Sequence, residues 1–124
     1  MPRAVVIDDS KAIRMILTKT LAGLGYEVVQ AVNGREAWDL FQNDAGGFSL
    51  ALVDWNMPEM NGLEFIRRLR AESRFASVIL MMVTTETQME QVAAALEAGA
   101  NEYVMKPFTK EIIEDKLRVL GLLA

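Results

Sequence analysis

The 124-residue chain contains no cysteine and no histidine. Without cysteine there are no disulfide frameworks, no thiolate nucleophiles and no Cys-ligated zinc or iron–sulfur centres. Without histidine, Ser–His–Asp and Cys–His catalysis and imidazole-bound metals are excluded as well. The chemistry left is that of carboxylates, hydroxyls, amides and ammonium groups, and a metal held by such groups is a hard, oxygen-preferring ion such as Mg2+. Proline is scarce, at three residues, so a Pro-rich linker is excluded too. No apolar run approaches the ~20 residues that span a bilayer, and residues 1–7 run straight into acids with no signal-peptide cleavage site. The expectation is a cytoplasmic protein with no membrane insertion. Seventeen acids against thirteen bases leave a net charge of −4, and Lys and Arg form no run. Such a surface repels a phosphate backbone, so nucleic acid is not an expected partner.

What is present is an ordinary globular balance, 52% hydrophobic and 24% charged, in a length that suits one domain over 1–124. Short apolar runs alternate with helical patterns throughout. Residues 4–7 read as a buried strand stopped by Asp8 and Asp9. Ser10 caps a helix with Ile13, Leu17, Leu21 and Leu24 on one face, ended by Gly23 and Gly25. Residues 26–31 read as a second strand followed by an Asn33-Gly34 turn. Ala37, Leu40 and Phe41 mark a short second helix. Residues 50–53 form a third strand cut off by Asp54, and a loop with Pro58 and Gly62 leads to a helix with Leu63, Ile66 and Leu69 inward. Residues 78–83 are a fourth strand, Val92, Ala93 and Leu96 mark helix four, and residues 102–105 are a fifth strand broken by Lys106-Pro107. Ile113, Leu117 and Leu120 define the closing helix. Strands alternating with helices imply right-handed crossovers and a doubly wound α/β fold, a parallel sheet covered on both faces.

In such sheets ligands bind beyond the carboxyl ends of the strands. Strand one ends in Asp8 and Asp9, strand three in Asp54, strand four in Thr84 and Thr85, and strand five in Lys106. If strands one and three are neighbours, three carboxylates share one crevice with a hydroxyl and an ammonium. Two carboxylates ~4 Å apart repel by ~4 kcal/mol at an effective dielectric of ~20. The crevice must therefore gain a cation, protonate an acid or expand, and Mg2+ held by carboxylates, a backbone carbonyl and water is the economical answer. The plain alternative is that each acid caps the helix that follows it.

Asp8-Asp9, the segment from Asp54 to Gly62, Val83-Thr84-Thr85-Glu86 and Lys106-Pro107-Phe108 together resemble the receiver (response-regulator) family, in order and across the whole chain. The Asp54–Leu63 stretch is most similar to its single-domain chemotaxis regulators of the CheY type. The resemblance implies a flavodoxin-like, five-stranded sheet in the order 2-1-3-4-5. It implies that Asp54 accepts a phosphoryl group from a sensor histidine kinase, a carboxylate nucleophile needing no general base. Asp9, Asp54 and the carbonyl of Asn56 would ligate Mg2+, with Asp8 acting mainly through ordered water. Lys106 and Thr84 would contact phosphoryl oxygens, Thr84 and Tyr103 would form the switch, Asn56 and Glu86 would tune dephosphorylation, and the Lys106–Pro107 peptide would be cis.

With no residues left for an output domain, the expected output is partner binding, such as to a flagellar motor switch component, by a monomeric signalling switch rather than an enzyme. A phosphate sink or relay of the same fold is the second reading. A flavodoxin-like FMN carrier or an aspartate-based phosphatase is more remote: Asp8-Asp9-Ser10-Lys11 is anionic where a cofactor phosphate would sit, and Asp-x-Asp does not follow the first strand. Trp55 flanks the site. The methionines Met81, Met82 and Met105 read as core, as do Trp38 and Phe41, whereas Glu59, Glu64, Glu111 and Glu114 read as surface.

Overall fold

The strands of the protein are β1 (Arg3–Ile7), β2 (Glu27–Ala31), β3 (Leu50–Val53), β4 (Ile79–Thr84) and β5 (Glu102–Met105). The helices between and after them are α1 (Lys11–Gly23), α2 (Gly34–Asn43), α3 (Gly62–Arg70), α4 (Met89–Ala98) and α5 (Lys110–Val119). The structure, a computed structural model, describes residues 2–43, 47–85 and 89–123, with Met89 as backbone only. All strand pairs are parallel, in the order β2-β1-β3-β4-β5. This is the doubly wound α/β sheet expected from the alternation of elements.

Alternate residues of each strand feed opposite faces of the sheet, as the period of two demands. On one face Val5, Ile7, Ala51, Val53, Leu80 and Met82 meet Phe41 of α2, Phe65 and Leu69 of α3 and Ala95 of α4. On the other, Ala4, Val6, Leu50, Leu52, Met81, Val83 and Val104 meet Leu17 and Leu21 of α1 and Ile113 and Leu117 of α5. Burying each Leu, Ile or Phe contributes about 1.5–3 kcal/mol, which is why β3, buried at all four positions, needs no polar face.

Several boundaries and faces differ from the sequence expectation. The Asn33-Gly34 pair is not a free turn but the start of α2: Asn33 Oδ1 accepts the Glu36 amide at 2.8 Å, the Asn33 carbonyl accepts the Ala37 amide, and α2 begins at Gly34. The fourth strand is shifted by one residue and includes Thr84. In α3 Ile66 and Leu69 are fully buried as expected, joined by Phe65, while Leu63 is half-buried. In α4 the inward residues are Val92 and Ala95; Ala93 is exposed and Leu96 is 42% exposed. Small side chains give α4 no strong apolar stripe, so its rotation is decided by packing. Leu120 caps α5 half-buried, and Val119 points outward while Leu122 and Leu123 pack on the core.

At the end of the sheet opposite the strand C-termini, Arg70 at the end of α3 braces two connections, those leading into β4 and β5. Its guanidinium donates to the carbonyls of Phe75 (3.0 Å), Val78 (2.7 Å) and Gly99 (3.0 Å) and to Asn101 Oδ1 (3.0 Å). Asn101 Oδ1 also accepts the Leu80 amide at 2.8 Å. The space a Cβ of Gly99 would need is filled by the Arg70 stem.

Candidate functional site

Adjacent strands deliver adjacent acids. β1 pairs with β3 so that Ile7 faces Val53, the Asp54 amide donates to the Ile7 carbonyl at 2.9 Å, and Asp8 and Asp54 emerge side by side. One carboxylate oxygen from each of Asp8, Asp9 and Asp54 lies within 4.8 Å of the others. Asp8 and Asp54 are buried, at 1% and 6% exposure, and Asp9 is exposed. β5 completes the cluster from the far side of β4. The Lys106 amide donates to the Thr84 carbonyl at 2.8 Å, the Lys106–Pro107 peptide is cis, and Lys106 Nζ donates to Asp8 Oδ2 at 2.8 Å and to Asp54 Oδ1 at 3.3 Å.

Three carboxylates therefore face one ammonium, and the imbalance registers on Asp54. Burial, then the charge of Asp8, pushes its carboxyl up from 3.8 to about 6 against the pull of Lys106, with Asp9 adding to the rise. Burial alone would lower Lys106, but the hydrogen bond to Asp8 and the charges of Asp54 and Asp8 outweigh it and raise the ammonium above its ordinary value. The all-oxygen, anion-rich set fits a small divalent cation. It does not fit a softer metal.

The supporting contacts are local. Asp8 Oδ1 accepts the Ser10 amide at 2.9 Å, and Ser10 Oγ caps α1 by accepting the Ile13 amide. Arg14, one turn into α1, donates from Nη1 to the Asp8 carbonyl at 2.7 Å and from Nε to Gln30 Oε1 at 3.1 Å. Arg14 was not among the residues singled out by sequence, because an Arg on a partly exposed helix reads as solvated; its place six residues after Asp8 is the only signal it gives. Asp8 is thus engaged directly by Lys106 in this structure.

Beyond Asp54, the Gly62 amide donates to the Trp55 carbonyl at 3.0 Å, and a Cβ at Gly62 would collide with the Asp54 carbonyl oxygen. Only glycine lets α3 start this close to the end of β3. Asn61 and Glu64 form a capping box on α3. Asn56, two residues after Asp54, is exposed. Thr84, 2% exposed, and half-buried Tyr103 line one narrow pocket with Trp55, Met82, Gln91, Val92 and Ala95. Lys116 Nζ stands 4.9 Å from the centre of the Tyr103 ring. Gln91 was not foreseen; its side-chain oxygen is buried there without a hydrogen-bond partner among the described residues. Asp8, Asp9, Asp54 and Lys106 are brought together, and Thr84 and Tyr103 share a second cavity next to them. Glu86 lies outside the described residues.

The family model described as "Response regulator receiver domain" matches residues 4–118. The chain is 43% identical over 119 residues to chemotaxis protein CheY1 of Helicobacter pylori, covering 95% of each. It is 44% identical over 121 residues to a chemotaxis protein CheY homolog of Campylobacter jejuni, covering 96% of this chain and 92% of that one. Among solved structures, the chemotaxis response regulator CheY4 of Vibrio cholerae superposes with a TM-score of 0.88 at 35% identity, covering 97% of this chain and 98% of the other.

Proposed function

The chain belongs to the response regulator receiver family, and from that premise we propose that it is a phosphorylation-controlled switch in a chemotaxis pathway, with Asp54 as the phosphoacceptor. The observation that carries this reading is a buried carboxylate, Asp54, at a strand end between a second buried carboxylate and a lysine. A carboxylate oxygen of Asp54 attacks the phosphorus of a phosphohistidine on a sensor kinase. The P–N bond breaks, and the imidazole nitrogen leaves with the electron pair. Lys106, released from its ion pair with Asp54, takes up a phosphoryl oxygen as a point charge. The buried Thr84 hydroxyl donates to another phosphoryl oxygen, and Tyr103, across the shared pocket, responds to its movement.

Asp9, Asp54 and the backbone carbonyl of Asn56 would hold Mg2+, with Asp8 at its outer sphere, and the ion would neutralise charge between the carboxylate and the incoming oxygens. Asn56 and Glu86 stand in the sequence where side chains would border the path of hydrolytic water. The similarity to chemotaxis proteins over most of their length supports an output by partner binding, to a motor switch component. Among the described residues no helix is long and apolar enough to cross a membrane.

The test is incubation with acetyl phosphate and Mg2+ followed by intact-mass measurement. The parent gains one phosphoryl group and Asp54→Asn gains none. A parent that stays unmodified, or an Asp54→Asn variant that is modified equally, refutes the assignment.

A further inference from the structure

Residues 55–61 run from Asp54, at the end of β3, to α3, and their path away from the acidic cluster is not determined by their ends alone. In mid-loop the Met60 amide donates to the Pro58 carbonyl at 2.8 Å, closing a three-residue turn with Glu59 at its centre at φ 67. A non-glycine residue in that left-handed region is strained and persists only where its surroundings hold it. What holds it is the start of α2. Asn33 Nδ2 donates to Glu59 Oε2 at 3.0 Å, and the Gly34 amide donates to the Met60 carbonyl at 3.1 Å. Gly34 is buried so close to Met60 that a Cβ there would collide with the Met60 carbonyl oxygen. The Asn33 amide is itself oriented, because its oxygen is occupied by the Glu36 amide as the cap of α2. Only its NH2 group is left to face Glu59.

We propose that Asn33 and Glu59 form a latch that fixes the path of the 55–61 loop away from the acidic cluster and so sets the affinity of the site for a divalent cation. They are positioning residues: neither is part of the acidic group Asp8, Asp9 and Asp54. The latch acts on Asn56, whose backbone lies in the same loop. The inference rests on the reading of that cluster as a Mg2+ site.

Asn33→Asp keeps the capping oxygen of α2 but turns the latch into a pair of facing carboxylates. Mg2+ is titrated into the isotope-labelled protein and followed by amide resonances, with hydrogen exchange at the Gly34 amide measured without metal. Loss of one hydrogen bond between loop and helix weakens Mg2+ binding by about fivefold and speeds Gly34 exchange. Long-range electrostatics alone predicts the opposite sign, since an added acid near a cation site tightens binding. Glu59→Gln, which keeps an acceptor for Asn33, leaves affinity nearly unchanged, and Asn33→Asp combined with Glu59→Gln restores it by reversing donor and acceptor. Asn33→Ser, which keeps the cap without adding charge, weakens binding in the same direction. Unchanged or tighter binding in Asn33→Asp, with a parent that binds Mg2+, overturns the latch and leaves the metal reading intact. A parent that shows no Mg2+ titration overturns both.

Discussion

Asn in place of Asp54 should make the metal-free protein more stable near neutral pH, and less so as the solution is acidified. The folded carboxyl sits at about 6 against an ordinary 3.8. The folded state therefore holds this proton more tightly than the unfolded chain, and the contribution of Asp54 to stability falls as pH rises from about 4 to about 6. Two pKa units correspond to about 3 kcal/mol of opposition to folding above that window. The asparagine removes this but offers Lys106 a neutral, weaker acceptor, so the net gain is about 2 kcal/mol. For a chain of this size, at ~2.1 cal/mol/K per residue, that is a rise in Tm of about 8 °C. The assay is thermal or urea unfolding in chelator at about pH 8 and again at about pH 4, where the folded Asp54 is protonated, the unfolded one partly so, and the gain shrinks to a fraction of its size. Saturating Mg2+ then narrows the gap, because it stabilises the parent more than the variant. A variant no more stable than the parent at the higher pH, or a gain independent of pH, refutes the electrostatic account.

Asp9→Ala removes an exposed carboxylate from the same cluster: it stabilises the apo protein slightly and abolishes the Mg2+-induced rise in Tm, and an equal Mg2+ response in variant and parent counts against Asp9 as a ligand. Thr84→Ala accepts the phosphoryl group but couples it weakly to partner binding; an affinity that still depends fully on phosphorylation excludes the Thr84–Tyr103 route. Asn56→Lys slows loss of the phosphoryl group several-fold after donor removal, with Mg2+ held constant, and identical decay shows that position 56 does not govern water. Gly62→Ala forces a methyl against the Asp54 carbonyl and destabilises the fold by about 2 kcal/mol in urea unfolding; a neutral effect shows that α3 can retreat from the end of β3.

The sheet was legible because a parallel strand covered on both faces reads as an unbroken apolar run. β3 and β5 have the boundaries expected, and the acids that stop β1 and β3 lie together because those strands are neighbours. The α2 start was misread for a definite reason. Asn-Gly is a turn signal, yet Asn33 followed by Glu36 also carries the capping pattern that α3 repeats with Asn61 and Glu64. In α4, alanines at adjacent positions leave the period without contrast, and nothing local marks Ala95 rather than Ala93 as the buried one. Arg14, Gln91 and the Asn33–Glu59 pair act through contacts between segments distant in sequence, and no local pattern announces them.

The guanidinium of Arg70 has a mechanical consequence for α4. It grips the carbonyl of Gly99, just past the helix's last turn, and Asn101 beyond it, while the opposite end of α4 follows the strand that carries Thr84. A rod pinned at one end moves by rotation about the pin. With ten residues at 1.5 Å each, α4 is a lever roughly 15 Å long. A tilt of roughly 10° about Gly99 displaces its far end by about 2.6 Å and the pinned end hardly at all. A displacement of α4 would thus be graded along its length, largest at its first turn and fading toward Gly99. A partner that grips the first turn of α4 reads that displacement at full amplitude, and one that grips the last turn reads almost none of it.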